Sequence, residues 1–487
     1  MSEELAGCIK DHPDRSIPLV VDLDGTLLRS DLLIETGFLW LRQQPLKFPK
    51  LAVWLAQGRP ALKRHLADSV ILEVSELPYD KAVLQFIREQ RATGRRVILA
   101  TASHQTLAEK VAEHLGLFDE VLATHEQLNL AGATKLKVLV ARFGERGFDY
   151  MGNSADDLVV FSGARYAYVV NASASVQKQA KRLGNVNAVM GQLEAGVADW
   201  CQALRVHQWV KNLLIFVPLL AAHRAHEWPL LFSAMLVFIC FSLCASSVYL
   251  LNDLFDLPDD RHHQLKKHRP IPSGRVSLHS AIMLCPLLLL TSFGLAFWLL
   301  PPVAVLGLAA YYLLTLCYSV WLKRLVILDV VTLAALYTSR LVVGAVALDI
   351  AMSFWLLAFS MFMFLSLALV KRYAELVQVR ASRRSLKARG RGYFADDLHM
   401  IATLGASSGY MTVLVMALYV NDSRITQLYH RPEWIWLACP ILLIWISRVW
   451  MLAHRGQMNE DPVIFALHDK VSILMALLVL TVFWMAT

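Results

Sequence analysis

Apolar residues are spread unevenly along this chain. From about residue 205 onward they form long uninterrupted runs, near 210–223, 229–251, 279–299, 302–321, 326–348, 351–370, 399–420, 434–452 and 464–486. Runs of about 20 apolar residues are long enough to cross a bilayer as helices; the first is short for a span. Residues 1 to about 195 read differently. Short apolar runs at Ile17–Leu23, Arg96–Thr101, Glu120–Ala123, Phe148–Met151 and Tyr166–Val170 alternate with helical periodicity. Continuous short runs are the mark of buried parallel strands, and their alternation with helices predicts a doubly wound α/β sheet. The expected architecture is therefore multidomain: an α/β Rossmannoid domain over 1–198, with a helical insert at about 29–93 serving as a cap, and an all-α polytopic membrane domain of about nine transmembrane helices over 199–487. The connection at about 175–205, rich in Ala, Gln, Gly and Asn, reads as a terminal helix plus linker.

Composition sharpens this division. The chain is 487 residues long, 56% hydrophobic, with a mean hydropathy of +0.46, above the level of ordinary soluble proteins. The net charge of +8 is concentrated in a few connections. Basic clusters follow the second, fourth and sixth apolar segments: HHQLKKHR, Lys323-Arg324, and Lys371 to Arg391. His454 and Arg455 follow the eighth. Positive connections mark the cytoplasmic side, so the charge reports topology and anionic ligands, and no nucleic-acid partner is expected. The first sixteen residues are polar and acidic without an apolar core, unlike a cleaved leader. These features predict a bacterial inner-membrane protein, with the soluble domain cytoplasmic and, for nine spans, the C-terminus outside. Most of the seven cysteines lie in apolar runs and none forms a CxxC pair, so neither a disulfide framework nor a zinc site is indicated. Asp329 and Arg340 stand three turns apart in the fifth segment, where buried charge needs a partner; a structural pair and a ligand role are both open.

The chemistry concentrates in NDLFDLPDDRHHQLKKHRPIPSG, Asn252 to Gly274, which leaves the second apolar segment. Asn252, Asp256 and Asp260 are spaced four apart, on one face if helical. Pro258 is expected to end the helix near Phe255 or Asp256, with Asp259 and Asp260 on a turn folding back. Carboxylates and an amide converging in this way suit Mg2+, which often shares its oxygen ligands with substrate phosphates. Lys266, Lys267, His268 and Arg269 come next and suit phosphate. A solvated juxtamembrane loop would explain the basic residues but not the acidic ones. In the α/β domain, Asp22, Asp24, Thr101 and the 152–157 stretch fall at strand carboxyl ends, where such sheets bind ligands.

The motifs VVDLDGTLL, ILATAS, Lys135 and YMGNSADDLVVF, in that order, resemble the four motifs of haloacid dehalogenase-like (HAD) phosphatases. The resemblance covers the whole soluble domain. It implies that Asp22 is the nucleophile, Asp24 the general acid/base, that Thr101 and Lys135 hold the transferring phosphoryl group, and that Asp22, Asp24, Asn153 and Asp157 hold Mg2+. Family members often carry Asp where this chain has Asn153, whose amide brings no charge; Asp156 stands nearby to compensate. A decayed, purely structural domain is the alternative. Basic residues of the insert (Lys47, Lys50, Arg59, Lys63, Arg64) are expected to be solvated or to face an anionic substrate.

RVHQWVKNLLIFVPLLAAH, SSVYLLNDLFDLPDDRHHQLKKHRPIPSG, CYSVWLKRLVILDVV and ALVKRYAEL resemble the UbiA superfamily, and within it the polyprenyl-phosphate phosphoribosyltransferases. Prenyltransferases of the superfamily that use a prenyl diphosphate usually carry a second aspartate motif where this chain has Lys371-Arg372-Tyr373-Ala374-Glu375. The resemblance implies Mg2+-dependent transfer of 5-phosphoribose from phosphoribosyl diphosphate to a polyprenyl phosphate. Asn252, Asp256 and Asp260 would hold the metal; Lys211, Asn212, Lys266, Arg269, Lys323, Arg324, Lys371 and Arg372 would contact substrate. A HAD phosphatase fused to it suits removal of the 5-phosphate, as a precursor of arabinofuranose in cell-wall arabinan requires. Two alternatives stand beside this: a prenyltransferase joining a prenyl diphosphate to an aromatic acceptor, and a lipid-phosphate binding or transport protein with a regulatory HAD domain. Homo-oligomerisation is left open.

Overall fold

The structure is a computed structural model that describes residues 16–125, 128–191, 195–263, 265–382, 391–422, 428–458 and 461–487. The polar N-terminal stretch, most of the basic connection at 383–390 and part of the connection at 423–427 lie outside the described residues. The chain divides into two compact units. One comprises the chain to Leu204 together with Leu250–Leu284; the other comprises Arg205–Tyr249 and Cys285–Thr487.

In the first unit six strands, β1 (Leu19–Val21), β2 (Val97–His104), β3 (Glu120–Thr124), β4 (Asp149–Gly152), β5 (Ala167–Val170) and β6 (Val186–Met190), form one parallel sheet in the order β3-β2-β1-β4-β5-β6. Alternate residues serve opposite faces, as the pleat requires. Leu19, Val21 and Leu99 pack into one apolar cluster, and Val20, Ile98 and Ala100 into another on the opposite face. Helices cover both faces, so the inner strands β1, β4 and β5 are buried on both sides. The predicted doubly wound sheet is present.

Strand β6 lies inside the stretch that reads from sequence as helix and linker. Its residues are mostly half-buried, because it is an edge strand, and Asn187 breaks the apolar run by which strands are recognised. The expected cap divides in two. Helices Leu32–Gln43, Pro49–Ala56 and Arg59–Ser69 build a small satellite core around Trp40, Leu66 and Val70, with Trp54 tilted on Trp40 at 4.9 Å. The next helix, Lys81–Ala92, instead buries Val83, Phe86 and Ile87 against the sheet. Asp80 caps its start, accepting from the amides of Ala82 (2.9 Å) and Val83 (3.3 Å).

In the second unit the apolar segments are helical. Together with the helix Trp228–Phe255, whose last turns belong to the first unit, and the helix beginning at Leu278, seven helices among the described residues are long and apolar enough to span a membrane. An eighth span exists if Pro462–His468 and Lys470–Ala486, bent by 85°, are one. The first segment, Val206–Ala221, is a short apolar stretch that is largely 3-10 helix. The sequence predicts nine segments; the first falls short in length and the last is broken. The break has a cause. Asp461 and Asp469 each cap a helix start, accepting from the amides of Val463 (3.2 Å) and Ser472 (2.8 Å), and Asp469 also takes two bonds from Arg448.

The helix Leu328–Ala347 is among the most buried elements. A Cβ at Gly344 would lie 2.4 Å from the carbonyl oxygen of Ile215, so this glycine allows the Val206–Phe216 segment to approach closely. Asp329 and Arg340 do not pair with each other. Asp329 meets Arg372 (2.7 Å) and Arg391 (3.1 Å), while Arg340 donates to Asn212 (2.8 Å) and Tyr311 (3.0 Å). Each charge is satisfied from a neighbouring helix, as apolar surroundings demand.

Candidate functional site

In the α/β domain the candidate site forms where the strand order reverses about β1, at the carboxyl ends of β1, β2 and β4. Asp22 comes directly after β1. Gly25 then turns with φ +77°, and a Cβ there would lie 2.0 Å from the Asn153 amide nitrogen, so the turn and the approach of the β4 loop both require glycine. Lys135 donates to Asp22 Oδ1 and to the Tyr150 hydroxyl, each at 2.8 Å; Tyr150 in turn donates to Asp157 Oδ1 at 2.7 Å. Asp157 Oδ2 accepts from the amides of Asn153 (3.1 Å) and Ser154 (2.9 Å) and from the Ser154 hydroxyl (2.7 Å). Asp24 accepts from the amide of Leu32 (2.8 Å) and the hydroxyl of Ser103 (2.6 Å). Thr101 is fully buried and its hydroxyl oxygen accepts from the Ser103 amide at 3.0 Å.

The electrostatics separate these carboxylates. Burial pushes Asp22 up to about 6, although the Lys135 ammonium opposes it. Burial, with the Asp31 carboxylate nearby, pushes Asp24 up to about 7. Burial acts on Asp157 too, but Lys135 and its hydrogen-bond donors outweigh it and hold the group below the usual carboxylate range. Burial opposes the charge on Lys135, yet Asp22 and Asp157 overcome it and raise its pKa. Two oxyacids with pKa values moved toward neutrality, beside a cation and a saturated anion, are what a nucleophile and an acid/base need.

Sequence reasoning identifies Asp22, Asp24, Thr101, Lys135, Asn153 and Asp157, and the fold brings them to one end of the sheet. It assigns no role to Ser103, Tyr150 and Ser154, which lie within the motif stretches but whose types carry no distinctive signal. Asp156 points to solvent. Lys63 is largely desolvated; it donates to the carbonyl of Ala102 at 2.6 Å, and burial lowers its pKa. The donor set of Asp22, Asp24 and the Asn153 amide is all hard oxygen and fits Mg2+; Asp24 accepts one donor on each oxygen, whereas Asp157 already accepts four between its two. Among the described residues no three His, Cys, Asp or Glu side chains are gathered as a ready-made metal site. Oxygen supplied by Asn153 would complete such a set only with a backbone or substrate oxygen.

The second candidate region is the segment after the helix Trp228–Phe255. That helix ends where Pro258 predicts. The chain then enters a short helix, Leu257–His262, with proline in its first turn, and not the expected turn. The amide of Asp260 still donates to the carbonyl of Asp256 (2.8 Å), and that of Asp256 to Asn252 (2.9 Å), so the three ligand candidates keep helical spacing across the junction. Arg269 folds back to reach Asp260 Oδ2 at 2.8 Å and Asp253 Oδ1 at 3.4 Å. Burial raises the pKa of Asp260 against the pull of Arg269 and Lys266. Asp253, buried beside Arg269, is not among the residues that the spacing singles out. Asp259 turns away to Arg42 at 2.5 Å.

In the helical unit Lys211 and Lys371 both donate to Asp461 Oδ2, at 2.8 and 2.9 Å. Tyr337, Leu333, Leu367, Ala368 and Val463 line a cavity of about 10 Å³ beside them. Asp461 escapes sequence reasoning, since an aspartate next to proline reads as a loop residue. Asn212 and Arg372 are committed elsewhere, to Arg340 and to Asp329. Lys323 is half-buried and Arg324 is exposed on a 3-10 turn.

A HAD-like α/β domain with an aspartate pair at its switch point, followed by a bundle of apolar helices, defines a multi-pass membrane protein. The model of the UbiA prenyltransferase family matches residues 213–478, and that of haloacid dehalogenase-like hydrolases matches residues 19–162. The chain belongs to the UbiA prenyltransferase family. It is 38% identical over 475 residues to the protein y4nM of Sinorhizobium fredii, covering 97% of this chain and 92% of that one. It is 36% identical to the nodulation protein NoeC of Azorhizobium caulinodans over 277 residues, 56% of this chain and 88% of NoeC. A decaprenyl-phosphate phosphoribosyltransferase of Mycobacterium tuberculosis is 31% identical over 295 residues, 60% of this chain and 93% of that enzyme.

Proposed function

We propose that the protein transfers 5-phosphoribose from phosphoribosyl diphosphate to a polyprenyl phosphate, and that its HAD domain then removes the 5-phosphate to leave polyprenyl-phosphoryl ribose. The observation that carries this reading is the 31% identity to a decaprenyl-phosphate phosphoribosyltransferase across 93% of that enzyme's length. Supporting it is Lys371, a cation in a stretch where prenyl-diphosphate enzymes usually carry acid.

Asn252, Asp256 and Asp260 would hold Mg2+, which when bound neutralises charge on a diphosphate leaving group. Arg269 and Lys266 offer cations on the same segment. Lys211 and Lys371 offer two more in the helical unit, beside the apolar side chains Leu333, Leu367 and Val463 that a lipid would need. The acceptor phosphate is itself a nucleophile, so the transfer needs orientation and charge neutralisation more than a strong base.

In the HAD domain Asp22 attacks the phosphoryl group and forms an aspartyl-phosphate. Asp24, its pKa near 7, gives a proton to the departing alcohol oxygen and then takes one from the incoming water. Lys135 and Thr101 bind the phosphoryl oxygens. Mg2+ on Asp22, Asp24 and the Asn153 oxygen would supply further positive charge. The basic connections and the soluble domain lie on the cytoplasmic side, where both charged substrates are found.

The test is product analysis. Asp22→Asn protein, given both substrates, accumulates lipid that still carries its 5-phosphate, and wild type releases it. Equal release from both would defeat the two-step reading.

A further inference from the structure

The aspartate-rich segment and the phosphatase loop are joined by a buried ion pair. Arg261 comes after Asp260 in the same helical turn. Its guanidinium donates to Glu35 through Nη1–Oε2 at 3.0 Å and Nη2–Oε1 at 2.5 Å, and through Nε to the carbonyl of Pro272 at 3.1 Å. Arg261 is 7% and Glu35 3% exposed, whereas the flanking pairs, Arg42 with Asp259 and His262 with Glu73, are partly open to solvent. A two-pronged pair of this kind fixes geometry, and removing one partner strands a buried charge.

Each end of the pair leads to a centre. Through Pro272, Arg261 pins the loop that carries Arg269. That loop is closed by Ser273 donating to the Arg269 carbonyl at 2.6 Å and by the Val276 amide donating to Pro270 at 3.0 Å. Arg269 is thereby held against Asp260. On the other side, Glu35 accepts from the Ser30 hydroxyl, and the carbonyl of Ser30 accepts from the Gly25 amide at 3.0 Å. The Leu32 amide, one turn before Glu35, donates to Asp24. A short chain of covalent and hydrogen bonds therefore connects Asp260 to the loop of Asp22 and Asp24.

We propose that Glu35, although it lies in the cap of the HAD domain, is a positioning residue for the aspartate-rich centre, acting through Arg261, and that the pair lets occupancy of one centre bias the geometry of the other. The assignment of that centre as a diphosphate site rests on the function proposed above. Any such bias is reciprocal, since it is a coupling free energy between two binding events.

The experiment uses the full chain purified in detergent and inorganic diphosphate with Mg2+ as the probe. The binding scored by calorimetry is the part that Asp256→Asn abolishes. Glu35→Gln is expected to weaken it about tenfold. Glu109→Gln, an exposed change on another face of the same domain, serves as the control and binds as wild type. In the transfer assay the donor KM rises with Glu35→Gln while kcat stays within about threefold, a split that general loss of folded protein does not give. If Glu35→Gln does not fold, Ser30→Ala, which removes one bond to Glu35 and leaves the ion pair, is expected to weaken binding two- to fivefold. Wild-type affinity in whichever of these two variants folds overturns the proposal, and so does a wild-type protein with no Asp256-dependent binding. Binding that splits as described in a protein that labels no lipid would instead defeat the proposed transfer and leave the positioning role standing.

Discussion

Lys135 Nζ lies 2.8 Å from Asp22 Oδ1, a buried cation against a buried carboxylate whose pKa is nonetheless lifted to about 6. The lysine favours the ionised form of Asp22 and, on the proposed phosphatase reading, stands where charge would develop on a transferring phosphoryl group. Lys135→Met is expected to cut hydrolysis of p-nitrophenyl phosphate by roughly 100-fold or more in kcat, the scale of losing one preorganised charge donor. Steady-state hydrolysis by purified protein checks it; a change below tenfold would speak against the role.

Gly25 tests whether the geometry of the phosphatase loop matters apart from its titrating groups. Alanine would sit at φ +77°, costing roughly 1–2 kcal/mol, and would push its methyl into the Asn153 side chain. The expected outcome for Gly25→Ala is loss of phosphatase activity with lipid labelling retained. Unchanged hydrolysis would show that the Asn153 loop can move aside.

Asp80 supplies a pH signature away from both candidate centres. Burial alone would raise its pKa, but hydrogen bonds from Asn171 and Arg29 outweigh it, and the folded value lies below the ordinary one. A depressed carboxylate contributes stability above its unfolded pKa, about 4, and that contribution disappears as pH falls through the lower folded value. Asn at this position would set an NH2 against donors. Asp80→Asn is therefore expected to be less stable than wild type at pH 7 by about 1–3 kcal/mol, the difference shrinking as pH falls through the lowered folded pKa. Thermal unfolding across pH reads this out, and parallel curves would contradict it.

Arg372 and Asp329 are both fully buried and 2.7 Å apart. Replacing Arg372 with Met leaves Asp329 with less of its charge balanced, at a cost of roughly 3–5 kcal/mol. Arg372→Met is expected to lower the yield of folded protein. Lys371→Met, which leaves Asp461 paired with Lys211, is expected to fold and lose transfer. Detergent gel filtration and the transfer assay separate the two; a well-folded Arg372→Met that is selectively inactive would make Arg372 a substrate ligand.

Much of this molecule is legible in the sequence because its signals are local. Asp22 after an apolar run, glycine after the next aspartate, and long apolar segments each announce an element by composition alone. Tertiary choices are not legible. Nothing in the sequence says that Asp329 prefers Arg372 and Arg391 to Arg340, because partners on different helices have no fixed spacing. Asp461, which holds Lys211 and Lys371 together, lies ninety residues from its nearer partner. Strand β6 escapes because edge strands need not be apolar. Pro258 marks the end of one helix correctly, but proline also starts helices, and so the turn expected there is the first turn of another.

The central claim is the transfer of phosphoribose to a lipid phosphate. Purified protein in detergent, incubated with radiolabelled phosphoribosyl diphosphate, polyprenyl phosphate and Mg2+, is extracted into solvent and the lipid phase counted. The account predicts label in lipid that requires added Mg2+ and is lost in Asp256→Asn. Folded wild-type protein that leaves all label in the aqueous phase would contradict it and turn attention to prenyl diphosphates and aromatic acceptors.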